Sequence, residues 1–215
     1  MYAELMGRPS NLEARRAQVA DALVRLLAGG SFSEISVAEM AREAALAPGL
    51  VHHYFRDKEA VLVVAVERMA IELELRLVDK LQSAGEAGKA RVHAFIDAWL
   101  SAEAGANPRA AFAWVAIGDE ARRRPDVRRI YVAAFERATL HLTDEMKHWL
   151  SPLRQRRASK IARAVMVAIE GALRVGAAGG LEAGTAAPLV RGIADALVNE
   201  AASPADLSDP PPRRR

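Results

Sequence analysis

Glycine and proline, not alternating apolar residues, set the rhythm of this chain. No run of β-branched residues alternates with polar ones between turn signals, as a half-buried strand requires. Instead Gly29-Gly30, Pro48-Gly49, Gly85 and Gly88, Gly105 through Pro108, Pro125, Pro152, the glycine-rich stretch 176–184 and Pro204 separate segments of helical period. The expected fold class is all-α, with about nine helices over 11–28, 36–44, 48–55, 58–83, 89–103, 108–122, 125–149, 154–175 and 186–201. Residues 203–215, SPADLSDPPPRRR, hold too little apolar surface to join a core and are expected to form a disordered basic tail.

Composition narrows the function classes. The 215 residues are 51% hydrophobic, enough for a real core, and include no cysteine. That excludes a disulfide scaffold, a Cys nucleophile, an iron–sulfur cluster and any Cys-ligated zinc. Apolar runs such as AVLVVAV at 60–66 are far short of the ~20 residues that span a bilayer. The N-terminus MYAELMGRPS lacks the apolar stretch of a signal peptide, so a cytoplasmic protein with no membrane partner is expected.

The first 60 residues read as short helices with explicit caps. Ser10-x-x-Glu13 and Ser36-x-x-Glu39 match the capping box. The first helix sets Leu12, Val19, Leu23 and Leu26 on one stripe, and the second does the same with Val37, Met40, Ala41 and Ala44. A tight turn leads to a third helix, too short to stand alone, whose inner face is Leu50, Val51, Tyr54 and Phe55. Asp57 is placed to cap a long fourth helix. Three short helices around one small core, the last two joined by a tight turn, make a helix-turn-helix. Pro48, Gly49, His52, His53 and Arg56 then face outward, where imidazoles donate to phosphates or guanine acceptors and Gly49 permits close backbone approach. The Tyr54 hydroxyl, Lys58 at the start of the fourth helix and the amides at Ser36 and Val37 are further phosphate contacts. Two solvated histidines are the plain alternative reading.

The string SVAEMAREAALAPGLVHHYFRDKEAVL (36–62) resembles the DNA-binding signature of the TetR family of transcriptional regulators, with the likeness specific over about residues 10–65. The resemblance implies a homodimer on a palindromic double-stranded operator, most often a repressor released by a small-molecule effector, with no enzymatic activity and no cofactor. It divides the chain into a DNA-binding domain at 1–57, a helical effector-binding and dimerisation domain at 58–202 and the tail at 203–215. The chain departs from the family at three positions: Ala47 where Ser or Thr is usual, Ala45 where Gly is usual, and His52 where Tyr is usual. Ala38 also offers no base-reading side chain. DNA shape and water are therefore expected to carry part of the specificity.

In the C-terminal part, Ile161, Val165, Ala168, Ala172 and Val175 form a stripe on one helix, and Leu189, Val190, Ile193, Ala194 and Leu197 on another. The resemblance assigns both to a four-helix dimer interface; an internal core stripe is the alternative. The scarce aromatics suggest an effector pocket of Met69, Leu73, Phe95, Trp99, Phe112, Trp114, Ile117, Phe135, Leu142 and Met166. Such a wall suits an uncharged or cationic hydrophobic effector better than a phosphorylated one.

Glu170 is expected on a solvated face, paired with Arg174 one turn on, although a pocket carboxylate is the alternative. His141, Glu145 and His148 share a face, but no second E-x-x-H accompanies them, so no metal is expected. An enzyme on a helical bundle lacks a P-loop, a dinucleotide fingerprint and H-E-x-x-H. A nonspecific DNA-bending protein would bind by salt-dominated contacts alone. Residues 1–60 hold 7 Lys/Arg against 8 Asp/Glu, so the positive charge lies elsewhere, three residues of it in Arg213–Arg215. A modest salt slope for DNA binding follows.

Overall fold

Local signals explain the N-terminal elements before any packing is considered. The computed structural model describes residues 11–86, 88–101, 108–182 and 184–202, which form nine α-helices and no strand. The first four are α1 (Asn11–Leu27), α2 (Val37–Glu43), α3 (Pro48–Tyr54) and α4 (Lys58–Ser83). At α2 the capping box is complete: the Ser36 hydroxyl accepts from the Glu39 amide at 3.2 Å and the Glu39 carboxylate accepts from the Ser36 amide at 2.7 Å. Asp57 caps α4 through the Ala60 amide at 2.7 Å. The Ser10 box lies outside the described residues.

The turn between α2 and α3 closes like a Schellman motif. The Leu46 amide donates to the Ala41 carbonyl and the Ala45 amide to that of Arg42, at 2.9 and 3.1 Å. This requires a left-handed residue at 45, and Ala45 takes φ 53°. The Gln18 side chain donates to the Ala44 carbonyl at 2.6 Å and fixes the turn to α1. Pro48 stands in the first turn of α3, where its missing N–H costs nothing.

Val19, Ala20, Ala22, Leu23 and Leu27 of α1 meet Met40 and Ala41 of α2 and Val51 of α3, with Phe55 closing the end. Two expected inward residues are not in this core. Leu12 is 50% exposed, on a first helical turn that the head does not cover, and Leu50 is 39% exposed because α3, only two turns long, is buried mainly through Val51.

The rest of the chain follows as α5 (Lys89–Leu100), α6 (Pro108–Ala121), α7 (Pro125–Trp149), α8 (Ala158–Ala177) and α9 (Ala186–Ala202). Residues 102–103 of the expected fifth helix are outside the described set. The expected start of α8 at 154 needs correction: Pro152 opens a 3-10 turn over Pro152–Arg157, and the α-helix begins after it. α7 packs on α8, α6 and α4, while α9 packs on α8 and α5. Arg91 clamps α5 to α7 with two 2.7 Å bonds to Glu145, and Asp195 of α9 accepts from Lys89 at 2.7 Å and pairs with His93 at 2.8 Å. No helix among the described residues is long and apolar enough to cross a membrane.

Head and body share one hydrophobic core. α1 packs against α4 and α6 as well as against α2, and Arg68 of α4 grips Asp21 of α1 with two 2.8 Å bonds.

Candidate DNA-reading surface and effector cavity

The outer surface of the head carries Pro48, Gly49, His52, His53 and Arg56, all exposed. The His53 ring stands edge-on to Tyr54 at 5.2 Å, and Tyr54 is half-buried against the core. A methyl group added at Gly49 would meet nothing within 4 Å. Nothing inside the protein therefore demands glycine there; the open space faces outward. Ala47 precedes α3 without a side-chain cap bond.

The head's cations are mostly engaged. Arg25 bonds Glu43 at 2.5 Å, Arg56 pairs with Asp57 at 3.0 Å, and Arg16 lies over the Phe55 ring. Lys58 turns inward: its Nζ donates to the Ile35 carbonyl at 2.6 Å and the Ser33 carbonyl at 3.3 Å, and sits 4.4 Å above the Phe32 ring. Burial lowers its pKa. It ties the α1–α2 loop to α4 and is not extended into solvent, contrary to a purely phosphate-facing role. Ser36 spends both its hydroxyl and its amide in the capping box with Glu39, contrary to the expected amide contact there, which leaves the Val37 amide at the start of α2. Arg42, one turn beyond Ala38 on the exposed face of α2, was not among the sequence candidates. Its i, i+4 spacing from Ala38 was the available signal.

A cavity with about 480 Å³ of empty space, continuous with solvent, lies between α1, α4, α5, α6 and α8. Four of the ten expected pocket residues line it: Met69, Leu73, Trp99 and Trp114. Phe95, Ile117, Leu142 and Met166 are wholly buried, so they pack the core and offer a ligand no surface. Phe112 is 38% exposed, and Phe135 borders a separate open groove with Tyr131, Val132, Val167, Glu170, Gly171 and Arg174. Helical spacing alone does not separate a lining residue from one a quarter-turn deeper. Val24, Glu72, Arg76, Ala110, Ala111 and Leu173 complete the lining. Glu72, Leu73 and Arg76 share a stripe of α4 with Met69, a signal the sequence did hold; Val24 comes from a helix remote in sequence and was not legible.

The two cavity indoles meet edge-on at 6.1 Å, but their N–H groups differ. Trp114 donates to Glu170 at 3.1 Å. Trp99 is buried and its Nε1 has no acceptor among the described residues, a state that costs roughly 1–3 kcal/mol.

Glu170 is not the solvated partner of Arg174. Its carboxylate is half-buried and accepts from Trp114 and, at 2.8 Å, from the Tyr131 hydroxyl, while Arg174 bonds Asp119 at 3.1 Å. Where α6, α7 and α8 meet, two neutral donors satisfy the carboxylate, and Asp119 competes for the arginine. Tyr131 stacks on Trp114 at 4.7 Å, and its approach needs Gly118, where a methyl group would come within 3.3 Å of the phenol oxygen. Burial and the Glu170 charge push the Tyr131 phenol above its ordinary value. Glu145, read as part of an ordinary polar face, is buried and held by Arg91, with His141 and His148 exposed.

On α8, Ile161, Val165 and Ala172 are buried within the chain and Ala168 is half-buried, so most of that stripe serves the internal core, while Val175 at its end is 45% exposed. The uncovered strip of α8 lies one step around the helix, at Ala164, Val167, Gly171 and Val175, with Val167 60% exposed. On α9, Leu189 and Ile193 are exposed, Leu197 half-buried and Val190 buried.

The described residues thus place a capped helix-turn-helix beside an all-helical body with a cavity, the two joined through the long α4. Residues 19–65 match the model of the bacterial regulatory proteins of the tetR family. The matched stretch spans most of the helix-turn-helix head and the start of α4. It is 32% identical over 118 residues to the HTH-type transcriptional regulator BetI of Rhizobium meliloti, a match covering 55% of this chain and 57% of that protein. With BetI of Burkholderia thailandensis it shares 28% over 152 residues, covering 68% and 75%. A Rhodococcus transcriptional regulator superposes with TM-score 0.74 at 19% identity, covering 86% of this chain and 96% of that one. A Saccharomonospora viridis regulator solved in complex with choline gives TM-score 0.69 at 17% identity, covering 86% and 95%. These structures are alike in fold.

Proposed function

We propose that the protein is a homodimeric, ligand-responsive repressor that reads a palindromic operator. The exposed α3 surface supports this most directly, because a side chain at Gly49 would meet nothing in the fold and both adjacent histidines are exposed. In this reading Pro48, Gly49, His52 and His53 approach the major groove; Tyr54, Arg42 and the Val37 amide meet phosphates; Ser36 caps α2 and Lys58 positions the loop beside them. Residues 1–57 act as the DNA-binding unit and 58–202 as the effector and dimer unit. The apolar strips of α8 and α9 seat a second copy, with Val167, Gly171, Val175, Leu189 and Ile193 at the contact. A small, largely apolar effector fills the cavity beneath Trp99 and Trp114; the choline complex of a fold neighbour supports a small organic ligand of this size class.

The test is a mobility-shift titration with DNA flanking the protein's own gene, against shuffled DNA. A specific shift at physiological salt is expected, weakened about tenfold in His53→Ala with unfolding unchanged. Equal binding to both DNAs overturns the reading and favours a nonspecific binder.

A further inference from the structure

We infer that the effector cavity recognises a small carboxylate with an apolar body, held by the Arg76 guanidinium and the Trp99 indole N–H. This deepens the effector reading above and rests on it.

Two observations converge. Trp99 is 5% exposed, lines the cavity and has an indole nitrogen with no hydrogen-bond partner among the described residues. Buried donors are normally satisfied, and an indole can only donate, so the missing group is an acceptor. Arg76 lines the same cavity with its side chain 19% exposed, and among the described residues its ion-pair partner is Glu72 at 3.7 Å. Glu72 is itself 72% exposed, and a pair at that distance with one member in solvent is weak. A guanidinium so far withdrawn from water and so loosely matched calls for an anion with planar oxygens. A carboxylate answers both demands at once: one oxygen to the guanidinium, one to the indole. Leu73, Met69, Ala110, Ala111 and the two indole rings provide for the apolar body.

The expectation of an uncharged or cationic effector came from the apolar residues alone. It changes once an arginine and an orphan donor are found on the same wall. A cation has no use for either group, although Glu72 at the rim could draw one to the mouth.

The experiment is calorimetric titration of the full chain with phenylacetate, hexanoate, phenylacetamide and choline, repeated on Arg76→Gln and Trp99→Phe. The two carboxylates are expected to bind, and phenylacetamide and choline to bind about tenfold or more weakly. Arg76→Gln should weaken phenylacetate about ten- to hundredfold while leaving phenylacetamide unchanged. Trp99→Phe should weaken the carboxylates at a temperature where circular dichroism shows the variant still folded, since the indole N–H they use is gone while no internal hydrogen bond is lost. Binding of choline or phenylacetamide as tightly as the carboxylates, unchanged affinity in Arg76→Gln, or no binding by either carboxylate at millimolar concentration each overturns the inference. Specific operator binding by the ligand-free protein would survive such a failure; its loss would instead sink the regulator reading.

Discussion

Ala45 occupies the left-handed region at φ 53°, where a Cβ crowds the following carbonyl. The sequence marked this position by the absence of the usual glycine, and the structure supplies the reason it matters. Ala45→Gly is expected to stabilise the chain by about 1 kcal/mol, read from chemical denaturation, because strain relief outweighs the added freedom of the unfolded chain. A drop in stability would mean the turn is held open by something other than backbone geometry. Tyr131 gives a pH-dependent counterpart. Its folded pKa lies above the ordinary 10.0, first through burial and then through Glu170, so the unfolded chain ionises it sooner. The stabilisation is complete below about pH 10 and is lost as pH climbs beyond it. Tyr131→Phe should therefore be less stable at neutral pH, lacking the Glu170 bond, yet show a shallower alkaline decline in unfolding free energy. An unaltered alkaline slope would refute that assignment. Glu170 itself shows the limit of sequence reading at this scale: i, i+4 spacing offered Arg174, but the choice was settled by Asp119, Trp114 and Tyr131, none of them near it in sequence.

Elements were more legible than their faces. Caps and breakers are local, so Ser36, Asp57, Pro48 and Pro125 placed helix ends within a residue or two of those observed. Which side of α8 turns inward depends on α7 and α9, and of the stripe expected to meet a partner all but Val175 turn toward the internal core. The join between head and body was not visible at all. Phe32, in the loop after α1, is sandwiched between Lys58 at 4.4 Å and Arg124 at 4.7 Å, and Arg124 also pairs with Glu59 at 3.8 Å and with the buried Glu120. Arg124 stands just beyond α6, whose residues Ala110, Ala111 and Trp114 wall the cavity. A ligand that shifts α6 therefore pulls on the loop that seats α2. Arg124→Gln should leave ligand affinity within about twofold but reduce the ligand's effect on operator affinity several-fold, as measured by operator titration with and without saturating effector. Unchanged coupling would exclude this route.

For the whole molecule, the proposed dimer follows from exposure. Val167, Val175, Leu189 and Ile193 lie uncovered on two helices that pack together. Val167→Glu should shift the protein to monomer in sedimentation while leaving its helical content intact, because the side chain is 60% exposed within one chain. Persistence of a dimer would place the interface elsewhere. The class of fold was readable from breaker spacing and the head from its caps, whereas the cavity, assembled from five helices, was only half readable. The shared core of α1, α4 and α6 has a practical corollary. A reading head whose first helix also seals the body cannot be excised as a module. Chimeras that graft residues 1–57 onto a foreign body would strip Val24 from the cavity wall and leave Phe32 without Arg124. Re-engineering its DNA specificity therefore means altering the surface of α3 in place.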